Sequence, residues 1–422
     1  MKLISFFAVC VVLLGSSCAK KLDLYPTTGI SPESVQPSDL PALRLGVYND
    51  VQSDPGVHSW ILFDLLGGDI FTGTNAPKDL INSILSPLST QVTTGWNGYY
   101  GSLYQINNVI SVCERMAPSE SRNMTLGEAY YFRAYTYYCL VTRWGGVPVL
   151  EKNTLEKVSR NTVAETWAFV EKNLQDAITL LGTSANYYYV SKDAATALLA
   201  RVKLNQHKKA EAATLAESLI NSGKYKLDAF EKIFRKVTNT EIIFAFENLS
   251  EESSNNISDL FYSYGHPNKG QGTYKLSQVL VDAFAGSDTR KAMSVVNIAG
   301  TNCINKYPSG QTGKDPVIIS RLGELYLISA EAQGRSEGLG RLNELRRFRG
   351  LTDVTPGSDE AFTEALLQER RLELMGENFR FYDLVRAGKA ISTLGILNYQ
   401  LVLPIPGREL QYNTNLTPNP GY

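Results

Sequence analysis

Histidine and cysteine are scarce in this chain, and most metal and nucleophile chemistry goes with them. Its three histidines, His58, His207 and His266, lie far apart with no cysteine or acidic partner at ligand spacing, so no metal site is expected. No Gly-x-Ser-x-Gly, His-Glu-x-x-His or P-loop pattern occurs. Gly265-His266-Pro267-Asn268-Lys269-Gly270-Gln271 fails at the lysine a P-loop needs, and Gly270-Gln271-Gly272 lacks the third glycine and the preceding strand of a dinucleotide site. Charge of one sign is missing too: 41 basic residues stand against 42 acidic ones. That balance makes no field strong enough to recruit nucleic acid or an anionic lipid surface. Paired carboxylates for glycoside cleavage could come from any of the acidic residues, so they carry no signal. The chain therefore reads as a non-enzyme without a cofactor, and a hydrolase remains only a remote third reading.

The apolar run Leu3 to Leu14 is too short for a bilayer span of about 20 residues. With Lys2 before it and Gly15-Ser16-Ser17-Cys18 after it, it reads as a lipoprotein signal peptide, residues 1–17. Cys18 would be the acylated (palmitate-bearing) first mature residue, held in the membrane by its lipid chains. Lys20 and Lys21 follow the anchor where an aspartate would favour inner-membrane retention, so the outer membrane is the expected location. Removing the signal leaves 422 − 17 = 405 residues, enough for a large core. Cys113, Cys139 and Cys303 remain, an odd number. A bridge between Cys113 and Cys139 stays open beside the reading of both as buried thiols.

Residues 18–41 are rich in Pro, Ser and Thr and read as a lipidated tether. The body, 42–422, is predicted mostly helical. Thr162-Val163-Ala164-Glu165 is a capping box, and Val163, Trp167, Val170, Leu174 and Leu181 follow on one face until Gly182. Ala195, Leu198, Leu199 and Val202 repeat that spacing after Ser191. Ile318, Leu322 and Leu325 do so further on, before a helix ending at Gly350. Glu241 to Phe246 reads as a strand. A charged amphipathic helix is predicted from about Asp359 to Arg386. Its Glu369, Arg370, Arg371, Glu373 and Arg380 either form a recognition surface or, as alternating charge at helical spacing favours, pair within and between helices.

That helix, with Gly376-Glu377-Asn378-Phe379-Arg380-Phe381-Tyr382-Asp383-Leu384, is followed by Leu403-Pro404-Ile405-Pro406-Gly407-Arg408-Glu409-Leu410 and a Pro/Asn-rich end, Asn415 to Tyr422. Together these blocks resemble the C-terminal signature of the SusD/RagB family, nutrient-binding outer-membrane lipoproteins of Gram-negative bacteria. Further blocks are similar to that family's elements: Leu22-Asp23-Leu24-Tyr25-Pro26, Gly127 to Tyr135, Arg143-Trp144-Gly145-Gly146-Val147-Pro148, Lys192 to Val202, Glu324 to Ala332 and Leu342 to Arg346. The resemblance implies tetratricopeptide-like antiparallel helix pairs, an α-α superhelix with long irregular loops and a few short strands; no clean 34-residue period is visible by itself. It places the scaffold at about 92–222 and 316–350, variable ligand-facing loops at about 56–90 and 247–315, and the family's C-terminal segment at about 358–422. It also implies a role: capture of a nutrient, expected to be an oligosaccharide, and delivery to a SusC-like TonB-dependent transporter at the cell exterior. The runner-up is a helical-repeat surface lipoprotein that binds a protein or peptide. The chain is short for the family, which implies trimmed surface insertions.

A saccharide site needs aromatic faces with a few polar groups to fix orientation. Trp96, Trp144 and Trp167 read as scaffold, which leaves Trp60, in the segment that runs on to Phe71 and its loop. Trp60 reads either as a ligand contact or as the start of a buried element. From Asn248 to Lys275 the chain is rich in Ser, Asn and Gly but keeps Phe261, Tyr262, Tyr264, His266 and Tyr274. Those rings either line a ligand face or pin a long excursion to the body. The candidate ligand residues are thus Trp60, Phe71, Tyr262, Tyr264 and Tyr274.

Overall fold

Short polar side chains set the helix starts. Thr162 accepts from the Glu165 amide at 3.2 Å while the Glu165 carboxylate accepts from the Thr162 amide at 2.7 Å, the reciprocal box foreseen above. Ser119, Ser191 and Ser358 cap three more helices by accepting from the backbone amide three residues on, without the reciprocal carboxylate bond. The computed structural model describes residues 35–72, 79, 80, 82–249, 255–262, 267, 270–313 and 315–422. The signal segment, Cys18, Tyr264 and His266 lie outside the described residues.

The main helices are α1 (Leu40–Ser53), α2 (Thr90–Arg115), α3 (Glu120–Trp144), α4 (Val163–Leu180), α5 (Lys192–Asn205), α6 (Lys209–Ile220), α7 (Leu322–Phe348), α8 (Asp359–Glu373), α9 (Arg380–Arg386) and α10 (Gly407–Tyr412). From α2 to α7 each packs on the next of this set, so the scaffold is a tetratricopeptide-like stack. Trp167, Val170, Leu174 and Leu181 are buried as the stripe requires, but Val163 in the first turn of α4 is exposed. Among the described residues, three antiparallel two-stranded ribbons accompany the stack: β1 (Ile70–Thr72) with β3 (Tyr274–Leu276), β2 (Ile242–Phe246) with β6 (Val317–Arg321), and β4 (Val295–Ile298) with β5 (Thr301–Ile304). Tyr131, Phe132, Phe244 and Phe246 meet edge-on or stacked where the β2–β6 ribbon lies against α3.

Three expectations change. The tether was expected to run to Pro41, but helix starts at Leu40, because proline is tolerated in a first turn. Ile318 belongs to β6, opposite Ala245, and not to the helical stripe that starts at Leu322. β-branched Val317, Ile318 and Ile319, buried on both faces, favour a strand there. The helix expected from 359 to 386 breaks after Glu373 and resumes at Arg380. Between them Gly376 (φ 75°) and Asn378 (φ 68°) turn the backbone so that both amides donate to buried Asp64, at 2.9 and 2.7 Å. The helix α7 is itself two segments, broken at Gly334 (φ 70°). Cys113, Cys139 and Cys303 are free and buried.

Towards the end of α8, Glu369, Arg370 and Glu373 are buried and point inward. Glu373 receives Arg290 at 2.9 Å, Arg321 at 2.6 Å and Arg349 at 2.9 Å. Arg321 and Arg349 also hold Glu241 at the start of β2, Arg290 holds Asp288 and Glu369, and Lys306 shares Glu377 with Arg321. The reading of these charges as structural pairs fits what is found, and the pairing is almost wholly buried.

Glu373→Gln should therefore lower the unfolding free energy by about 3–5 kcal/mol, since removing one partner strands buried charge; a urea titration followed by circular dichroism measures it. Burial alone would raise the Glu373 pKa, but Arg349, Arg321 and Arg290 together hold it well below the ordinary 4.5. A depressed folded-state pKa means this stabilisation is complete above pH 4.5 and drains away as the pH falls from there towards the folded-state value. The gap between wild type and variant should narrow over that acid range.

Candidate functional site

The largest cavity among those described is a groove of about 490 Å³ between the first turns of α2, the segment 148–158 and α10. Trp96 forms its floor, 3 % exposed, tilted against Tyr100 at 5.0 Å and set edge-on to Trp144 at 5.4 Å. Tyr100 donates to the Pro148 carbonyl at 2.8 Å, which fixes its ring. Burial pushes the Tyr100 phenol well above its usual pKa, so it stays a neutral donor. Helix α2 sits close to α1 here because Gly98 has no side chain: a Cβ would come within 2.1 Å of the Asp54 carbonyl.

The outer wall is the C-terminal tail. Tyr412 is 61 % exposed, with the Arg408 guanidinium 5.3 Å from its ring centre and 3.2 Å from its hydroxyl. Glu156, Asn97 and Glu409 add acceptors and donors along the rim. Amide side chains pin the tail: Asn413 donates to Val158, Asn415 to Lys157, and Asn419 to both Trp144 and Leu403. Arg160 reaches back to Gly146 and to Asn419. An aromatic floor, an exposed tyrosine and a rim of amides, carboxylates and one guanidinium can stack on a sugar ring and bond its hydroxyls. No group of three or more His, Cys, Asp or Glu able to hold a metal is found among the described residues.

The residues singled out from sequence are not brought together in this groove. Trp60 is buried, its indole donating to the Gln52 carbonyl at 3.0 Å and its ring stacked on Tyr135. Tyr262 is 1 % exposed and donates to Asn305 at 2.7 Å; Tyr274 is wholly buried in β3 between His58 and Phe261. All three are corrections as ligand contacts: Trp60 starts a buried element, Ile61-Leu62-Phe63, and Tyr262 and Tyr274 close the underside of a long polar excursion that has few aliphatic residues to do so. Phe71, opposite Lys275 in the ribbon, is exposed. Trp96, Tyr100, Arg408 and Tyr412 were missed. Arg408 and Tyr412, four apart in a helical tail, were the available signal.

A fold of stacked helix pairs with an irregular, groove-bearing face defines a helical-repeat binding protein. The chain belongs to the SusD family: residues 44–204 match the group described as starch-binding and associating with the outer membrane, and residues 302–400 match the SusD family itself. SusD-like protein P38 of Formosa agariphila is 24% identical over 504 aligned positions, covering 100% of this chain and 99% of that one. SusD-like protein P2 of the same organism is 25% identical, covering 99% of each. Among solved structures, a SusD superfamily protein from Bacteroides thetaiotaomicron superposes with a TM-score of 0.80 at 24% identity, covering 92% of this chain and 100% of that one. A laminarin-binding SusD-like protein gives 0.78 at 22% identity, covering 91% and 99%. Surface glycan-binding protein A from Bacteroides fluxus gives 0.80 at 20% identity, covering 92% and 100%. The P38 alignment is 504 − 422 = 82 positions longer than this chain, as trimmed insertions would produce.

If Tyr262 and Tyr274 are packing residues, Tyr262→Ala and Tyr274→Ala should each cost about 3–5 kcal/mol of stability. Phenylalanine separates ring from hydroxyl. Tyr262→Phe should lose about 1 kcal/mol with its bond to Asn305. Tyr274→Phe should cost nothing, since that hydroxyl is buried without a partner among the described residues. Chemical denaturation of the four variants measures all of this.

Proposed function

We propose that the protein is a surface-exposed outer-membrane lipoprotein that binds an oligosaccharide in the Trp96–Tyr412 groove and passes it to a SusC-like TonB-dependent transporter, with no chemistry of its own. The observation that carries the reading is the groove, whose aromatic floor and exposed Tyr412 sit among hydrogen-bonding groups. The description of the matching family, starch-binding and associating with the outer membrane, supports it, as do structural neighbours named for binding laminarin and surface glycans. Residues 1–17 would be the cleaved signal and Cys18 the lipidated end of a tether leading to the body. No described helix is long and apolar enough to cross a membrane. Phe71, exposed at the edge of a ribbon, is retained as a second ligand contact.

The other reading, a protein or peptide partner, draws on apolar side chains exposed beside the groove, Leu155 and Leu88. A panel of soluble glycans and peptides, titrated by calorimetry, separates the two.

Replacing Arg408 and Tyr412 together by alanine should weaken glycan binding at least about tenfold, which corresponds to about 1.4 kcal/mol, while leaving the melting temperature unchanged because both side chains are exposed. Equal binding by the variant would move the site to Phe71 and its neighbours. In the native host, Cys18→Ala should shift the protein to a soluble fraction, and mild-detergent purification of the wild type should bring a barrel transporter with it. Membrane retention of the variant without a barrel would count against the anchor.

A further inference from the structure

We propose that a cavity beside Arg143, in the interior under α3, is a binding site for a small monovalent anion of halide size. Arg143 lies in the last turn of α3 and is 2 % exposed. The other deeply buried guanidiniums have carboxylates: Arg201 has Glu324, Arg370 has Asp383, Arg386 has Glu331, and Arg290, Arg321 and Arg349 share the network at Glu373. Arg133, without a direct ion pair, still has Glu114 and Glu151 acting on it. Arg143 differs. The ionisable groups that act on it most strongly are Tyr99, Cys139, Tyr135 and Tyr138, none of them a carboxylate.

Its hydrogen bonds go to neutral oxygens. Nη1 donates to the Cys139 carbonyl at 3.1 Å and Nη2 to the Ser59 carbonyl at 3.0 Å, while Nε has no partner among the described residues. The rings of Phe63 and Tyr99 flank the guanidinium at 4.8 and 5.3 Å. The C-terminal end of α3 supplies only partial negative charge. A buried cation without a counter-charge is expensive, and water would satisfy Nε without neutralising anything.

Arg143 lines a partly enclosed space of about 30 Å³ with Tyr135, Tyr138, Trp60 and Asn378. A water needs about 10–15 Å³ by this measure, so there is room for one dehydrated halide ion. Phenol and amide groups around it can donate to an anion as the guanidinium does. Glu377, on the same wall, is already committed to Arg321 and Lys306 and does not serve as the counter-charge. The anion would lock the end of α3 to the segment around Ser59, behind the Trp144 that backs the groove floor.

Crystals grown in sodium bromide test this directly: an anomalous peak is expected within hydrogen-bonding distance of Arg143 Nε. Bromide in place of gluconate at equal sodium should also raise the melting temperature by about 2 °C or more through linkage, against the general tendency of excluded anions to stabilise better. Arg143→Met should abolish that bromide dependence. Water density without an anomalous peak at Arg143, or the same bromide response in wild type and variant, would overturn the proposal. Should the variant fail to fold, the wild-type anomalous map decides alone.

Discussion

Glu373 is the residue on which the rest of the structure depends. Its carboxylate is wholly buried, and three guanidiniums converge on it from segments far apart in sequence, at Arg290, Arg321 and Arg349. Extended through their other partners, the cluster comprises Arg290, Lys306, Arg321, Arg346 and Arg349 against Glu241, Asp288, Glu369, Glu373 and Glu377, so charge balances. Balance is what permits burial. At an effective dielectric near 20 a pair at 4 Å gains about 4 kcal/mol, comparable with the desolvation of each ion. The cluster's net contribution is then small, but any departure from its geometry is heavily penalised. It thereby fixes where α8 ends, where the β2–β6 ribbon begins, and how the excursion through Arg290 and Lys306 returns to the helical stack. Phe230 lies under three of the cations, 4.6 Å from Arg349 and 4.9 Å from Lys306, and closes the cluster from below.

A second polar device attaches the groove. The tail contains no long helix that could bury an apolar stripe, and α10 has only six residues. Asn413, Asn415 and Asn419 substitute for that missing stripe by donating to backbone carbonyls of the α3–α4 connection, and Arg160 answers from the other side. Leu403 adds a backbone bond to Arg143 at 2.7 Å. The tail thus becomes a wall of a cavity whose floor belongs to the scaffold.

The scaffold was legible because its signals are local. Thr162 with Glu165, Ser191 before an alanine-rich helix, and the Glu241–Phe246 run each specify an element within a few residues. The break in α8–α9 was not legible, because its cause, the bond from Gly376 and Asn378 to Asp64, spans some 312 positions of sequence. Ile318 misled because strand and helix templates overlap in a short apolar run, and only its ribbon partner Ala245 decides between them. The site was the least legible part. Trp60 was singled out as the tryptophan left without a scaffold role, yet it opens the buried run Ile61-Leu62-Phe63. Tyr262 and Tyr274 were singled out because they stand in polar surroundings, yet polar sequence around a ring leaves that ring as the main source of buried apolar area. Trp96 was set aside as scaffold, and it is: it meets Trp144 edge-on while the same ring floors the groove.

That double duty bears on how such a fold can vary its ligand. The groove's position rests on bonds from Asn413, Asn415, Asn419 and Arg160 to backbone carbonyls or to one another, and a carbonyl acceptor is indifferent to the side chain of the residue carrying it. The groups that would meet ligand, Arg408, Tyr412, Asn97 and Glu156, are exposed and contribute little to the core. Substitution among them changes the chemistry of the groove without reaching the ionic cluster at Glu373, which lies on other elements. Trp96 and Gly98 are bound by the opposite constraint. One is packed against Trp144 and the other against the Asp54 carbonyl, so the floor is held by the same contacts that hold the first helix pair, and specificity has to be written on the rim.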